Sequence, residues 1–278
     1  MLRLFFINPV SGAIVELKWR NQVFRSVTEK DGFFKFEWSS DDAVNAGWHD
    51  VHVNFLHQNG TLLASGKGKV YVPHIAQFAY ISDIDDTILI SHSASVFKKL
   101  RILFTQDPHT RKSFDDAIAH YKLLAISGTK ESTPNPFFYV SSSEWNLYDD
   151  LTEFFSYNLL PEGVFLLNSI KKWYQLFKTG STKHEAKLLK IARILETFPS
   201  QTFVLLGDNS QSDPDIYLSI VTKYSERIFA VYIRNIFAKN ESRTQKILDE
   251  IAFMGPHTYL FKKNSDALAH SKEIGLID

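Results

Sequence analysis

Two patterns of apolar spacing divide the chain. Up to about residue 75 apolar and polar residues alternate in short runs. Phe34, Phe36 and Trp38 alternate with Lys35 and Glu37, and Val51, Val53 and Phe55 with His52 and Asn54. The first run follows Asp31-Gly32 and the second precedes Asn59-Gly60. Period-two runs bounded by such turns predict antiparallel hairpins with one face in water. Residues 1–75 are therefore expected to form a small antiparallel β-sandwich, with the apolar start at Met1–Pro9 as a further strand. From about residue 76, short continuous apolar runs take over, at 78–81, 137–140, 164–167, 203–206, 228–233 and 258–261. Longer stretches of helical period separate them, which is the signature of buried parallel strands joined by crossover helices. The best marked helix follows Thr182: Thr182 and Glu185 make a capping box, and Leu188, Ile191, Leu195 and Phe198 recur every three or four residues. Residues 127–136, polar and holding two prolines, read as a loop.

Composition narrows the function classes. The 278 residues suffice for two domains, and 31 basic residues balance 31 acidic ones. That balance argues against a general nucleic-acid binder. The absence of cysteine removes disulfides, thiolate catalysis and Cys-type zinc or iron–sulfur sites, and is compatible with a cytoplasmic protein. No apolar run approaches the ~18 residues of a membrane-spanning helix. The expectation is a protein soluble in the cytoplasm or attached peripherally to a membrane.

The chemistry is concentrated at strand ends. The run 78–81 leads into Ser82-Asp83-Ile84-Asp85-Asp86-Thr87, three carboxylates within four positions. Like charges this close repel, and a divalent cation removes the objection. The second run ends in Ser141-Ser142-Ser143, and the fourth in Gly207-Asp208 with Asp213 beyond it. The helix entering the fourth run carries Lys187. In open α/β sheets ligands bind at the carboxyl ends of strands, so these groups converge on one edge. Such a set suits phosphoryl transfer through an aspartyl-phosphate. Asp83 would attack phosphorus, and Asp85 would act as general acid and base. Mg²⁺ would be held by Asp83, Asp85, Asp208 and Asp213, while Ser141 and Lys187 clamp the phosphoryl group. Each residue also has a plainer reading. Asp213 before Pro214 fits a helix N-cap, Ser141 a turn serine, and Lys187 a solvated lysine with Lys183 or Lys190 competing for its role.

Together these residues resemble the four motifs of the haloacid-dehalogenase-like hydrolase superfamily. The resemblance implies a Rossmann-like parallel sheet over residues 76–278, Mg²⁺, an aspartate nucleophile, and a cap inserted at about 91–135. A closer likeness covers about residues 78–237. Its pieces are Ser82–Ile88, Phe138–Tyr148, Lys187 through Pro199, Gly207–Tyr217 and Val231–Ile236. These are similar to the catalytic domain of the actin-patch-associated phosphatidate phosphatase family, whose members also tend to carry a β-sandwich ahead of it. That likeness implies a phosphomonoester substrate, phosphatidate among them, with Thr87, Ser142 and Arg234 in substrate binding. It departs at Glu144, where the pattern has proline, and at Ser210, where it has glycine; neither change removes a chemical group. The competing readings are a phosphatase of a soluble metabolite or a phosphorylated nucleic-acid end, and a non-catalytic binding module on the same frame. Such modules tend to lose the nucleophile or the acid/base, and both are present here.

Two stretches, Phe97–Phe104 and Lys171–Lys178, are basic and apolar at once. Either can lie on an anionic bilayer or pack as an ordinary helix with solvated lysines. His52 and His57 mark no site. The sandwich itself offers no catalytic candidate, and is expected to dock a partner, a membrane or the hydrolase domain.

Overall fold

The computed structural model describes residues 9–39, 43–74, 77–84, 108–168 and 183–278. The chain separates into two compact units, Met1–His74 and Ile75–Asp278.

In the first unit β1 (Ile14–Trp19), β2 (Gln22–Val27), β3 (Gly47–Leu56) and β4 (Leu62–Val72) form one antiparallel sheet in the order β2-β1-β3-β4. The turn between β3 and β4 contains Asn59-Gly60, with Gly60 at φ 85°, a backbone region open to glycine. Leu17, Trp19 and Val51 form the buried side of the sheet. The 33–39 run, expected as a hairpin strand, joins no ladder. Its alternation serves another purpose: Trp38 stacks on Phe24 at 4.9 Å and lies 6.1 Å from Trp19, with Phe36 packed beside them. Phe36 and Trp38 thus cover the apolar face although the run joins no ladder.

The second unit is a six-stranded parallel sheet with helices on both faces. Its strands are β5 (Phe78–Asp83), β6 (Phe137–Glu144), β7 (Gly163–Asn168), β8 (Thr202–Asp208), β9 (Ile228–Arg234) and β10 (His257–Phe261), in the order β10-β9-β8-β5-β6-β7. The helices are α1 (Pro108–Ile126), α2 (Tyr148–Tyr157), α3 (Lys183–Thr197), α4 (Asp213–Tyr224), α5 (Glu241–Phe253) and α6 (Asn264–Glu273). Strand residues alternate between two cores. Ala79, Ile81, Phe138, Val140, Phe203, Leu205, Val231 and Ile233 pack with α3, α4 and α5. Tyr80, Phe137, Tyr139, Val204, Leu206 and Tyr232 pack with α1, α2 and α6. Both faces of each central strand are dry, which is why these strands read as continuous apolar runs.

Of the expected cap insertion at 91–135, residues 91–107 lie outside the described residues. Residues 108–126 are the crossover helix α1, with Ala117, Tyr121, Leu124 and Ala125 buried in the unit's core. The Thr182 cap and the basic-apolar stretches 97–104 and 171–178 lie outside the described residues. Among the described residues no helix is long and apolar enough to cross a membrane.

From β5 the chain runs outward to β6 and β7, then returns to β8 on the opposite side of β5. The carboxyl ends of β5 and β8 thus lie side by side where the winding reverses, the place where such sheets bind ligands.

Candidate active site

Asp83 ends β5, opposite Val140 of β6, and is 2% exposed. The residue before it sets its backbone: Ser82 Oγ donates to the Asp83 carbonyl at 2.9 Å and lies 2.8 Å from the Tyr121 hydroxyl of α1. Ser82 spends its one hydrogen on that carbonyl, so Tyr121 is the donor between the two hydroxyls.

Asp208 ends the neighbouring β8 and is fully buried. Ser210 N–H donates to its Oδ1 at 2.5 Å, and its own N–H donates to Asp213 Oδ2 at 3.3 Å. Gly207 permits this approach. A Cβ there would stand 2.6 Å from Asp213 Oδ2 and 2.8 Å from the Tyr217 ring. Asp213 opens α4, but its carboxylate turns inward to Lys187 and the Asp208 N–H. The N-cap reading of that residue therefore misses where its oxygens go.

Lys187, one turn into α3, joins the end of β5 to the start of α4. Its Nζ lies 2.8 Å from Asp83 Oδ1 and donates to Asp213 Oδ1. Burial pulls the Lys187 ammonium down, but the charges of Asp213 and Asp83 and their hydrogen bonds outweigh it and hold its pKa above the lysine value. Asp208 moves the other way. Burial, then the charge of Asp213, raise it to about 6, against the Ser210 hydrogen bonds and the Lys187 charge. Three carboxylates thus gather around the Lys187 ammonium.

One oxygen from each of Asp83, Asp208 and Asp213 lies within 4.8 Å of the others, a spacing that can hold a metal ion. All the donors are hard oxygens, with no imidazole or sulfur in the set. Ser141, buried beyond the last β5–β6 pair, lines the same pocket as Asp83 and Lys187, together with Asn168, His184, Lys190 and Gln211. Its Oγ accepts the Ser143 N–H at 2.9 Å.

Of the residues expected at the site, Asp83, Asp208, Asp213, Lys187 and Ser141 are brought together. Arg234 ends β9, opposite Asp208 in register, and is buried. Burial raises the Tyr121 hydroxyl, the charge of Asp83 adds to this, and that of Arg234 opposes it, so all three share one electrostatic environment. Asp85, Thr87 and the side chain of Ser142 lie outside the described residues. Lys190, weighed against Lys187, sits instead on the ends of β6 and β7.

Two residues escaped the sequence reading. Tyr121 hid in a helical stripe that mixes apolar residues with His120. Asn209, next to Asp208, is 1% exposed, accepts the Ile236 and Phe237 N–H groups, and donates to Asn235 Oδ1 and the Phe237 carbonyl. It ties the loop after β8 to the loop after β9. Only its place beside the acid hints at this.

A family model described as phosphatidate phosphatase APP1, catalytic domain, matches residues 78–235. The Saccharomyces cerevisiae protein named phosphatidate phosphatase APP1 is 28% identical over 180 residues, 62% of this chain and 28% of the yeast protein. An uncharacterized Schizosaccharomyces pombe protein is 23% identical over 161 residues, 57% of this chain and 25% of that protein. The chain therefore matches only about a quarter of the length of these relatives. Among solved structures, the PilB minor pilin from Streptococcus sanguinis aligns over 96% of this chain and 87% of its own at 10% identity and a TM-score of 0.35, too distant a likeness to bear on the fold.

Proposed function

Because the chain belongs to the phosphatidate phosphatase APP1 catalytic-domain family, and its buried acids meet at one sheet edge, we propose that it is a Mg²⁺-dependent phosphatase working through an aspartyl-phosphate. The family supports a phosphomonoester substrate, with phosphatidate the leading one. The observation that carries the reading is the convergence of Asp83, Asp208 and Asp213 on one another and on Lys187.

Asp83 is the nucleophile. A carboxylate beside an ammonium is ionised at neutral pH and needs no base to activate it. Its oxygen bonds to phosphorus as the ester oxygen departs, and Asp85 supplies the proton that the departing alcohol takes. Water then attacks the same phosphorus with Asp85 as base, and phosphate leaves Asp83 restored. Lys187 and Ser141 hold the equatorial oxygens of the transferring group, with Thr87, Ser142 and Arg234 in substrate binding. Asp83, Asp208 and Asp213, with Asp85, are the residues that would hold Mg²⁺, an ion satisfied by a few carboxylates plus water and phosphate oxygens. When bound, it neutralises charge on the phosphoryl group.

The test is phosphate release from phosphatidate and from a panel of soluble phosphomonoesters, with and without Mg²⁺. Asp83→Asn should abolish turnover on every substrate while leaving the melting curve in place. Wild-type rates in that variant would end the proposal.

A further inference from the structure

We infer that Lys190 is a positioning residue that holds the phosphoryl-binding strand end, a reading that rests on the function proposed above. β6 and β7 pair regularly as far as Val140 and Leu166, and the register then breaks until Glu144 meets Asn168. Parallel strands that part in this way lose N–H donors for the carbonyls at the break, and buried carbonyls require partners. Lys190 reaches across from α3 into that gap. Its Nζ donates to the Ser141 carbonyl at 3.2 Å, the Leu166 carbonyl at 3.0 Å and Asn168 Oδ1 at 2.7 Å. Among the described residues these acceptors suit the three hydrogens of an ammonium.

The same helix face thus presents two ammonium groups with different tasks. Lys187, three residues earlier, lies on the carboxylates. Lys190 stitches together the ends of two strands, although it lines the same pocket. What it fixes is Ser141. The Oγ of that residue accepts the Ser143 N–H, and its aim follows the backbone that Lys190 grips. A donor set one bond too loose there costs affinity for the phosphoryl group and leaves the metal ligands of β5 and β8 alone.

The experiment uses the full chain with Lys190→Met, which keeps the stem and removes the donors, and Lys190→Arg, which keeps a charge and several donors. In the methionine variant the amides of residues 141–144 and 168 should exchange with solvent about tenfold faster, with those of β5 and β8 unchanged. The inhibition constant of inorganic phosphate and the KM should also rise about tenfold, while the Kd for Mg²⁺ stays within about twofold. Arginine should restore part of the loss. Added to Ser141→Ala, Lys190→Met should change the phosphate constant less than about twofold, because both act on one contact. Wild-type exchange at 141–144, or effects that multiply fully in the double variant, would overturn the inference. Should the methionine variant not fold, Asn168→Ala removes one acceptor and should give a shift of about threefold in the same direction; no shift would overturn it equally. Exchange is read without turnover, so an inactive wild type would remove the proposed function while the exchange result still decides the role of Lys190.

Discussion

Gly207 shows how one missing carbon can set a site. The Asp213 carboxylate and the Tyr217 ring occupy the volume a Cβ would need, and neither can retreat freely. Asp213 is held by Lys187 and the Asp208 N–H, and the Tyr217 hydroxyl donates to the Leu206 carbonyl at 2.8 Å. Gly207→Ala should therefore cost about 1–3 kcal/mol of stability by overpacking. With Asp213 as a Mg²⁺ ligand, as proposed, the same change should weaken Mg²⁺ binding at least about tenfold. Thermal melts and calorimetric titration with Mg²⁺ test the two effects separately, and an alanine variant with both values intact would show that the close approach is incidental. A sequence reader sees Gly-Asp as an ordinary strand exit. The reason for the glycine lies six and ten residues downstream, at Asp213 and Tyr217, where only folding brings the atoms together.

The elements of the second unit were legible to within a few residues because their strands are buried on both faces and so carry unbroken apolar runs. The run at 203–206 is the core of β8 at Thr202–Asp208, and that at 228–233 becomes β9 at Ile228–Arg234. α1 was not legible, because its buried stripe is mixed: His120 lies 1% exposed beside Tyr121, Ala117 and Leu124. Its imidazole Nε2 is 3.0 Å from Ser271 Oγ of α6, which in turn lies 2.9 Å from the Tyr232 hydroxyl, itself 3.0 Å from His270 Nδ1. Burial lowers the pKa of His120 to about 4. The unfolded chain binds this proton below about 6.5 and the folded one does not, so stability is lost as pH falls from about 6.5 to 4, by roughly 3 kcal/mol in all. Asp208 acts with the opposite sign in metal-free protein: its raised pKa favours the folded state as pH falls below about 6. Comparison with His120→Gln, which keeps a polar group but does not titrate, isolates the histidine. Urea unfolding at pH 7, 6 and 5 should show the glutamine variant losing less stability than wild type at each step. Parallel slopes would mean that the buried imidazole is not what makes α1 and α6 acid-sensitive.

Among the described residues the two units share no core residue, and their cores differ greatly in depth. The first unit buries Leu17, Trp19 and Val51 beneath a single sheet and a covering segment. The second closes two helical layers over six strands, with fully buried Tyr80, Tyr139, Tyr217 and Tyr232 among them. Small units hide a smaller fraction of their surface and are the more marginal for it. Tryptophan gives a way to watch them separately, since Trp19, Trp38 and Trp48 lie in the first unit and Trp145 and Trp173 in the second. Emission in urea should thus follow mainly the first unit, while phosphate release follows the second. We expect the emission midpoint to fall below the activity midpoint by about 1 M or more, the non-coincidence expected of separate cooperative units. Because the groups of the site belong to the second unit, activity should persist at urea concentrations where most of the emission change has occurred. A single shared midpoint would require the two cores to unfold as one, so the shallow core would have to draw its stability from the deep one.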